Sequence, residues 1–294
     1  MQCFSELART IPDVHKKGVA AVTLVATIVL VTLVEILDAR LAGSGPWVDL
    51  GQANVSWCEG IGANQSNFII EPANARSDYS YLSMSFFFIV LGSSDLKLKV
   101  ALEAGEQRNV ILRFPVLTVT NGVINLLHGV GTFWNHSCEC APGRLLDVSG
   151  MLAVTAFPLI VTPIQMVPAF QNEGGAIATA FIQFLLWLCM FLSGGNGAGT
   201  AMYFVMSFNI VAVCSATLAR VRGNALESEE LNHTFCYALV PLVFILFAVG
   251  YLSWNLDVSG FWCSPRGTSF AWLQGHAVWH VVRNRMWLLL IPLL

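Results

Sequence analysis

Apolar residues come in long runs along this chain, each about the length of a bilayer-crossing helix, and short polar breaks separate them. A helix needs about 20 largely apolar residues to cross the hydrocarbon core, where it satisfies its own backbone N–H and C=O groups. The alternation of barrel strands is not seen. The pattern predicts an all-α, polytopic membrane protein with eight spans, over residues 18–37, 79–96, 110–135, 146–168, 176–194, 199–219, 234–255 and 270–293. Short connections predict one compact unit. The first run, GVAAVTLVATIVLVTLVEIL, follows Lys16 and Lys17. It exceeds the roughly 7–15 residue apolar core of a signal peptide and has no A-x-A-type cleavage pattern after it, so it reads as a signal-anchor span.

Composition agrees: of 294 residues, 55% are hydrophobic and 11% charged, where soluble domains run near 25% charged. The net charge of −3 identifies no partner, but its distribution orients the chain. Arg9, Lys16, Lys17, Lys97, Lys99, Arg108, Arg220 and Arg222 fall on one face, and Arg40, Arg76, Arg144 and Arg266 on the other. Basic residues in short loops stay inside, which predicts cytoplasmic N- and C-termini. The sequons at Asn54, Asn64 and Asn135 then lie on the non-cytoplasmic side, and that at Asn232 opposite. Cys58, Cys138, Cys140 and Cys263 share the non-cytoplasmic side, where disulfides can persist if it is a lumen or the exterior. Cys138 and Cys140, in CEC, are too close for an easy mutual disulfide, so the expectation is a free thiol or a partner elsewhere. The Gly-rich stretch FLSGGNGAGT lacks the Lys and Ser or Thr of a phosphate-binding loop and reads as a turn between helices.

Candidate chemistry lies in polar residues of the spans, where an ionisable side chain is costly and points to function. In LQGHAVWH, His276 and His280 are four apart and share one helix face. Alone, the pair fits a metal site or two hydrogen-bonded core histidines equally well. His136, in GTFWNHSC of the third span, arrives at the same membrane face by topology, and eleven residues later GRLLD places Asp147 there too. Three imidazoles and a carboxylate in one layer fit a catalytic zinc site, in which His136, His276 and His280 bind Zn²⁺, water is acidified, and Asp147 takes its proton. Thr132, one turn before His136, offers a hydroxyl to a developing oxyanion; judged alone, it bonds back to its own helix. His128, one turn deeper, reads as a packed or solvated core residue, because three ligands are already in place.

These residues resemble the alkaline ceramidases, within a wider group of seven-helix membrane hydrolases that includes adiponectin-receptor-like proteins. The family pattern is a Ser four before a His, an Asp eleven after that His, and H-x-x-x-H in the last helix. The chain matches it in His136, Asp147, His276 and His280 and carries Thr132 in place of the Ser. The resemblance covers roughly residues 55–290. It implies a seven-helix ceramidase-like bundle over 55–294, with an extra N-terminal helix in 1–54. It also implies a Ca²⁺ site before the second span, where WCE and EPAN match the family: Trp57 through its carbonyl, Glu59, Glu71 and, with a one-residue shift, Asn64. An Asp usual in that site is Ser56 here. A further implication is a Cys58–Cys263 disulfide. The function implied is a zinc-dependent amidase that cleaves the N-acyl bond of ceramide or a related sphingolipid, in an endomembrane. The expected partners are the bilayer, a ceramide-like lipid and membrane-protein assembly partners, with no nucleic acid. The other class the sequence leaves open is a weak or inactive family member that serves as a structural subunit or lipid sensor.

Overall fold

A computed structural model describes residues 13–47, 50, 59, 67–98, 113–194, 233–262 and 273–290. Its helices in chain order are α1 (Asp13–Leu41), α2 (Pro72–Ser77), α3 (Tyr79–Leu98), α4 (Pro115–Cys138), α5 (Ala141–Met166), α6 (Glu173–Leu192), α7 (His233–Val258) and α8 (Gly275–Leu290). The protein is an all-α bundle, with seven long helices and the short α2 among the described residues. Each long helix overlaps one predicted span; the predicted span over 199–219 lies outside the described residues.

Five helical segments are long and apolar enough to cross a membrane: Lys17–Leu41, Pro115–Cys138, Ala141–Ile164, Glu173–Leu192 and Pro241–Val258. Multiple long apolar helices of this kind make a multi-pass membrane protein. Their outward faces are apolar, with Val25, Ile28, Phe181, Ile182 and Ile245 all exposed, the arrangement expected where lipid rather than water surrounds the bundle. The inward faces bury Phe88, Leu117, Ile124, Val154, Phe157 and Ile164 in one core. The two remaining long helices carry more polar residues, Asp95 and Lys97 in α3 and His276, His280, Arg283 and Arg285 in α8.

Helices α4 and α5 form a tight hairpin that organises the site. Pro115 begins α4, where its missing N–H costs nothing. The helix ends as Glu139 turns left-handed at φ 47° and donates its N–H to the Asn135 carbonyl. This turn reverses the expectation for CEC: Cys138 and Cys140 are disulfide-bonded to each other. The left-handed residue between them brings their Cα atoms to 5.0 Å, within the usual bridging range; uniform extended or helical geometry would not aim the two thiols together.

The hairpin closes because glycines face the partner backbone. A Cβ on Gly131 would stand 2.7 Å from the Asp147 nitrogen, and one on Gly150 would stand 2.6 Å from the His128 Cα.

Helix α1 docks through a polar clamp. The Arg76 guanidinium meets Glu35 through Nε at 2.9 Å and Asp38 through Nη2 at 3.1 Å, and the Tyr79 hydroxyl donates to Glu35 at 3.0 Å. Beneath the clamp, Val34, Phe68, Ile69 and Ala75 form a small apolar cluster.

Candidate metal centre

His276 and His280 are one turn apart on α8, and His136 lies in the last turn of α4. All three are buried, and one ring nitrogen from each lies within 4.8 Å of the others. Their ring centroids are 4.9, 5.1 and 4.5 Å apart. The depth agreement expected between the third and last spans is therefore present as a cluster.

Carboxylates and a hydroxyl behind the imidazoles decide which nitrogen faces the centre. Glu71 Oε2 lies hard against His136 Nδ1 and also accepts from Asn74 Nδ2 at 3.2 Å, so it serves as acceptor and the Nδ1 as donor. His280 Nδ1 stands 2.7 Å from Asp78 Oδ1 and 2.8 Å from Ser77 Oγ. The Ser77 hydroxyl spends its own proton on the Asn74 carbonyl at 2.6 Å, so its oxygen accepts from the ring. In both residues the proton sits on Nδ1, leaving the Nε2 lone pair for a metal. Such carboxylate–histidine pairs fix orientation and raise ligand basicity at zinc sites. His276 is positioned through its main chain: Asp257 Oδ2, at the end of α7, accepts its N–H at 3.0 Å and caps the first turn of α8. Three neutral imidazoles held this way suit Zn²⁺, which takes three protein ligands in catalytic sites and keeps a fourth position open.

Asp147 faces the cluster from the first turns of α5 and is buried. Asn135 Nδ2 donates to its Oδ2 at 3.0 Å, Arg144 Nη1 lies 3.7 Å from the same oxygen, and His128 Nδ1 lies 3.6 Å from Oδ1. Thr132 is buried beside the carboxylates of Asp78 and Asp147. Asn135 of the third sequon is itself buried, with its amide donating to Asp147.

Before α2, Glu59 and Glu71 are both buried. The two Glu59 oxygens accept the main-chain N–H groups of Ala73 and Asn74 at 2.8 and 3.0 Å, closing the N-terminus of α2. Glu139, from the left-handed turn, packs its carboxyl against Glu71. Burial first, then the neighbouring Glu139, pushes the Glu71 carboxyl well above the usual carboxylate range. Both Glu59 oxygens are thus occupied by main-chain N–H groups, and among the described residues the three histidines are the group whose donor atoms converge for a metal ion. Trp57, Asn64, Cys58 and Cys263 lie outside the described residues.

A family model described as Ceramidase matches residues 50–290. The chain belongs to the ceramidase family. The comparison with individual curated proteins returns no match. The ceramidase match begins after α1, so that helix precedes the family's region. Family membership and a buried His₃ cluster together support hydrolase activity and a lipid or membrane partner in general. Sequence reasoning missed Ser77, Asp78, Glu139 and Asp257, which orient ligands or neighbouring carboxyls. Only the proximity of Ser77 and Asp78 to EPAN gave any signal, and it pointed to calcium rather than to the histidines.

Proposed function

We propose that the protein is a zinc-dependent membrane amidase that hydrolyses the N-acyl bond of ceramide or a related sphingolipid to a fatty acid and a sphingoid base. The observation that carries this reading is the buried His₃ cluster, in which the Nδ1 atoms of His136 and His280 are taken up by Glu71 and by Ser77 and Asp78. A zinc ion held by His136, His276 and His280 supplies Lewis-acid polarisation of the amide carbonyl and acidification of water. Asp147 accepts the proton of the attacking water and passes it to the amine that leaves, so the protons balance as fatty acid and free amine. Asn135 and Arg144 hold one Asp147 oxygen, which leaves the carboxylate a fixed aim. The Thr132 hydroxyl donates to the oxyanion that develops on the carbonyl. The apolar walls of α3–α5 exclude bulk water.

Trp57, Glu59, Asn64 and Glu71 are proposed as the Ca²⁺ site, and Cys58–Cys263 as a disulfide between loops. The termini are proposed to be cytoplasmic, with both metal sites toward the non-cytoplasmic face of an endomembrane.

The test is zinc content and ceramide turnover on one preparation. About one zinc per chain is expected, with fatty acid released from an N-acyl sphingolipid panel and both properties lost in His276→Ala. A folded, zinc-free protein rejects the reading. Zinc without released fatty acid across the panel favours a structural subunit or lipid sensor instead.

A further inference from the structure

Arg283 leaves α8 three residues after His280 and is 2% exposed, in the interior of a membrane bundle. A buried charge is retained only where its surroundings compensate it. Nη2 donates to the Met151 carbonyl at 3.0 Å and to the Thr155 hydroxyl at 2.6 Å, while Nη1 lies 3.3 Å from His128 Nε2. The rings of Tyr81 and Trp279 lie 6.0 and 5.8 Å from the guanidinium carbon. Among the described residues Arg283 forms no ion pair with a carboxylate, and His128 stands between it and Asp147.

Hydrogen-bonding capacity fixes what His128 must be. A guanidinium is always charged and only donates, so the His128 Nε2 beside it must be the accepting nitrogen. The proton of the neutral ring then sits on Nδ1. That nitrogen faces Asp147 Oδ1 at 3.6 Å. The carboxylate oxygen in front of Nδ1 is an acceptor, so this end of the ring agrees with the tautomer that Arg283 sets. Tyr81, edge-on to His128 at 4.8 Å, and the close approach of Gly150 hold the ring against rotation.

We propose that Arg283 is a positioning residue: it locks His128 in its Nδ1–H tautomer and so aims an N–H dipole at Asp147, from the side opposite Asn135 and Arg144. The role of Asp147 in this proposal rests on the hydrolase reading above; the Arg283–His128 pairing does not. No bond is made or broken by Arg283, and the effect is to orient and stabilise the carboxylate that handles the proton. The guanidinium thereby shares its charge with Asp147 through the imidazole instead of contacting it.

The direct test is nitrogen NMR of the intact protein labelled with ¹⁵N-histidine in lipid nanodiscs, with His128 assigned by its absence in His128→Phe. An unprotonated Nε2 and a protonated Nδ1 are expected in the wild type, and a protonated Nε2 overturns the proposal. Arg283→Lys keeps a donor-only cation and is expected to keep the tautomer. Arg283→Met is expected to release it, and retention there also overturns the proposal. In turnover, Arg283→Met should lower kcat about tenfold or more, the usual scale for a group that orients a reacting one, with KM and zinc content unchanged. The same substitution in a His128→Phe background should add nothing, as required for two residues that act in series; a full additional loss overturns the serial arrangement. A wild type that turns over no amide lipid yet gives the expected spectra rejects the hydrolase reading and leaves the pairing intact.

Discussion

At the scale of single residues, Thr132 is the sharpest test of chemistry. Its one hydroxyl proton can serve Asp78, Asp147 or a substrate oxyanion, but only one at a time. Its β-methyl narrows the rotamers that reach them. Thr132→Ser restores the residue of the family pattern and frees χ1, so turnover is expected to hold or rise. Thr132→Val keeps the shape and removes the donor, and is expected to cost about 10²–10³ in kcat, the scale of one lost oxyanion donor. Ceramide turnover at saturating substrate reads both, and a Thr132→Val enzyme as active as the wild type removes the donor role. The histidines behind this chemistry were legible one by one, because helical spacing puts His276 and His280 on one face and topology puts His136 at their depth. Ser77 and Asp78 were not. They come from a polar connection whose path only packing decides, and nothing in their spacing announces that they end beside His280. The mutual disulfide of Cys138 and Cys140 was hidden for a related reason, since it depends on a left-handed Glu139 that no propensity rule requires.

At the scale of elements, the spacing of α4 and α5 decides whether Asp147 meets the site at all. The runs of apolar residues announced both helices, but their separation depends on Gly131 and Gly150, which in sequence look like ordinary small residues of a membrane helix. Gly150→Ala places a methyl into the His128 backbone, where no flexible side chain can give way. The expected result is a destabilisation of about 1–3 kcal/mol, the range for overpacking, with loss of turnover as Asp147 and Thr132 separate. Thermal unfolding in detergent and zinc content check this, and unchanged stability and activity in Gly150→Ala would show that the hairpin has slack. The clamp from Arg76 to α1 predicts the opposite behaviour. The Arg76 and Glu35 side chains are 43% and 40% exposed, so screening leaves such a pair about 0–1 kcal/mol. Arg76→Leu is accordingly expected to leave zinc content and unfolding temperature nearly unchanged, and a large loss on either measure would make α1 an integral support of the hydrolase core.

For the whole molecule, the orientation proposed from charge placement can be read through the sequons. With the N-terminus inside, Asn54 and Asn64 face the compartment where glycans are attached, and Asn232 does not. Asn135 would share the favourable side by topology, yet its amide is buried against Asp147, so burial overrides sidedness. Protein expressed in a glycosylating cell should therefore show an endoglycosidase-sensitive shift on gels that Asn54→Gln and Asn64→Gln together abolish. Asn135→Gln should leave that shift in place while impairing turnover through the lost Asp147 contact. A shift that depends on Asn232 would invert the topology and move the metal centre to the cytoplasmic face. The substrate would then have to reach the histidines from the other leaflet. Their mutual geometry would be untouched, because it is set by helix contacts within the bundle and not by the membrane's sides.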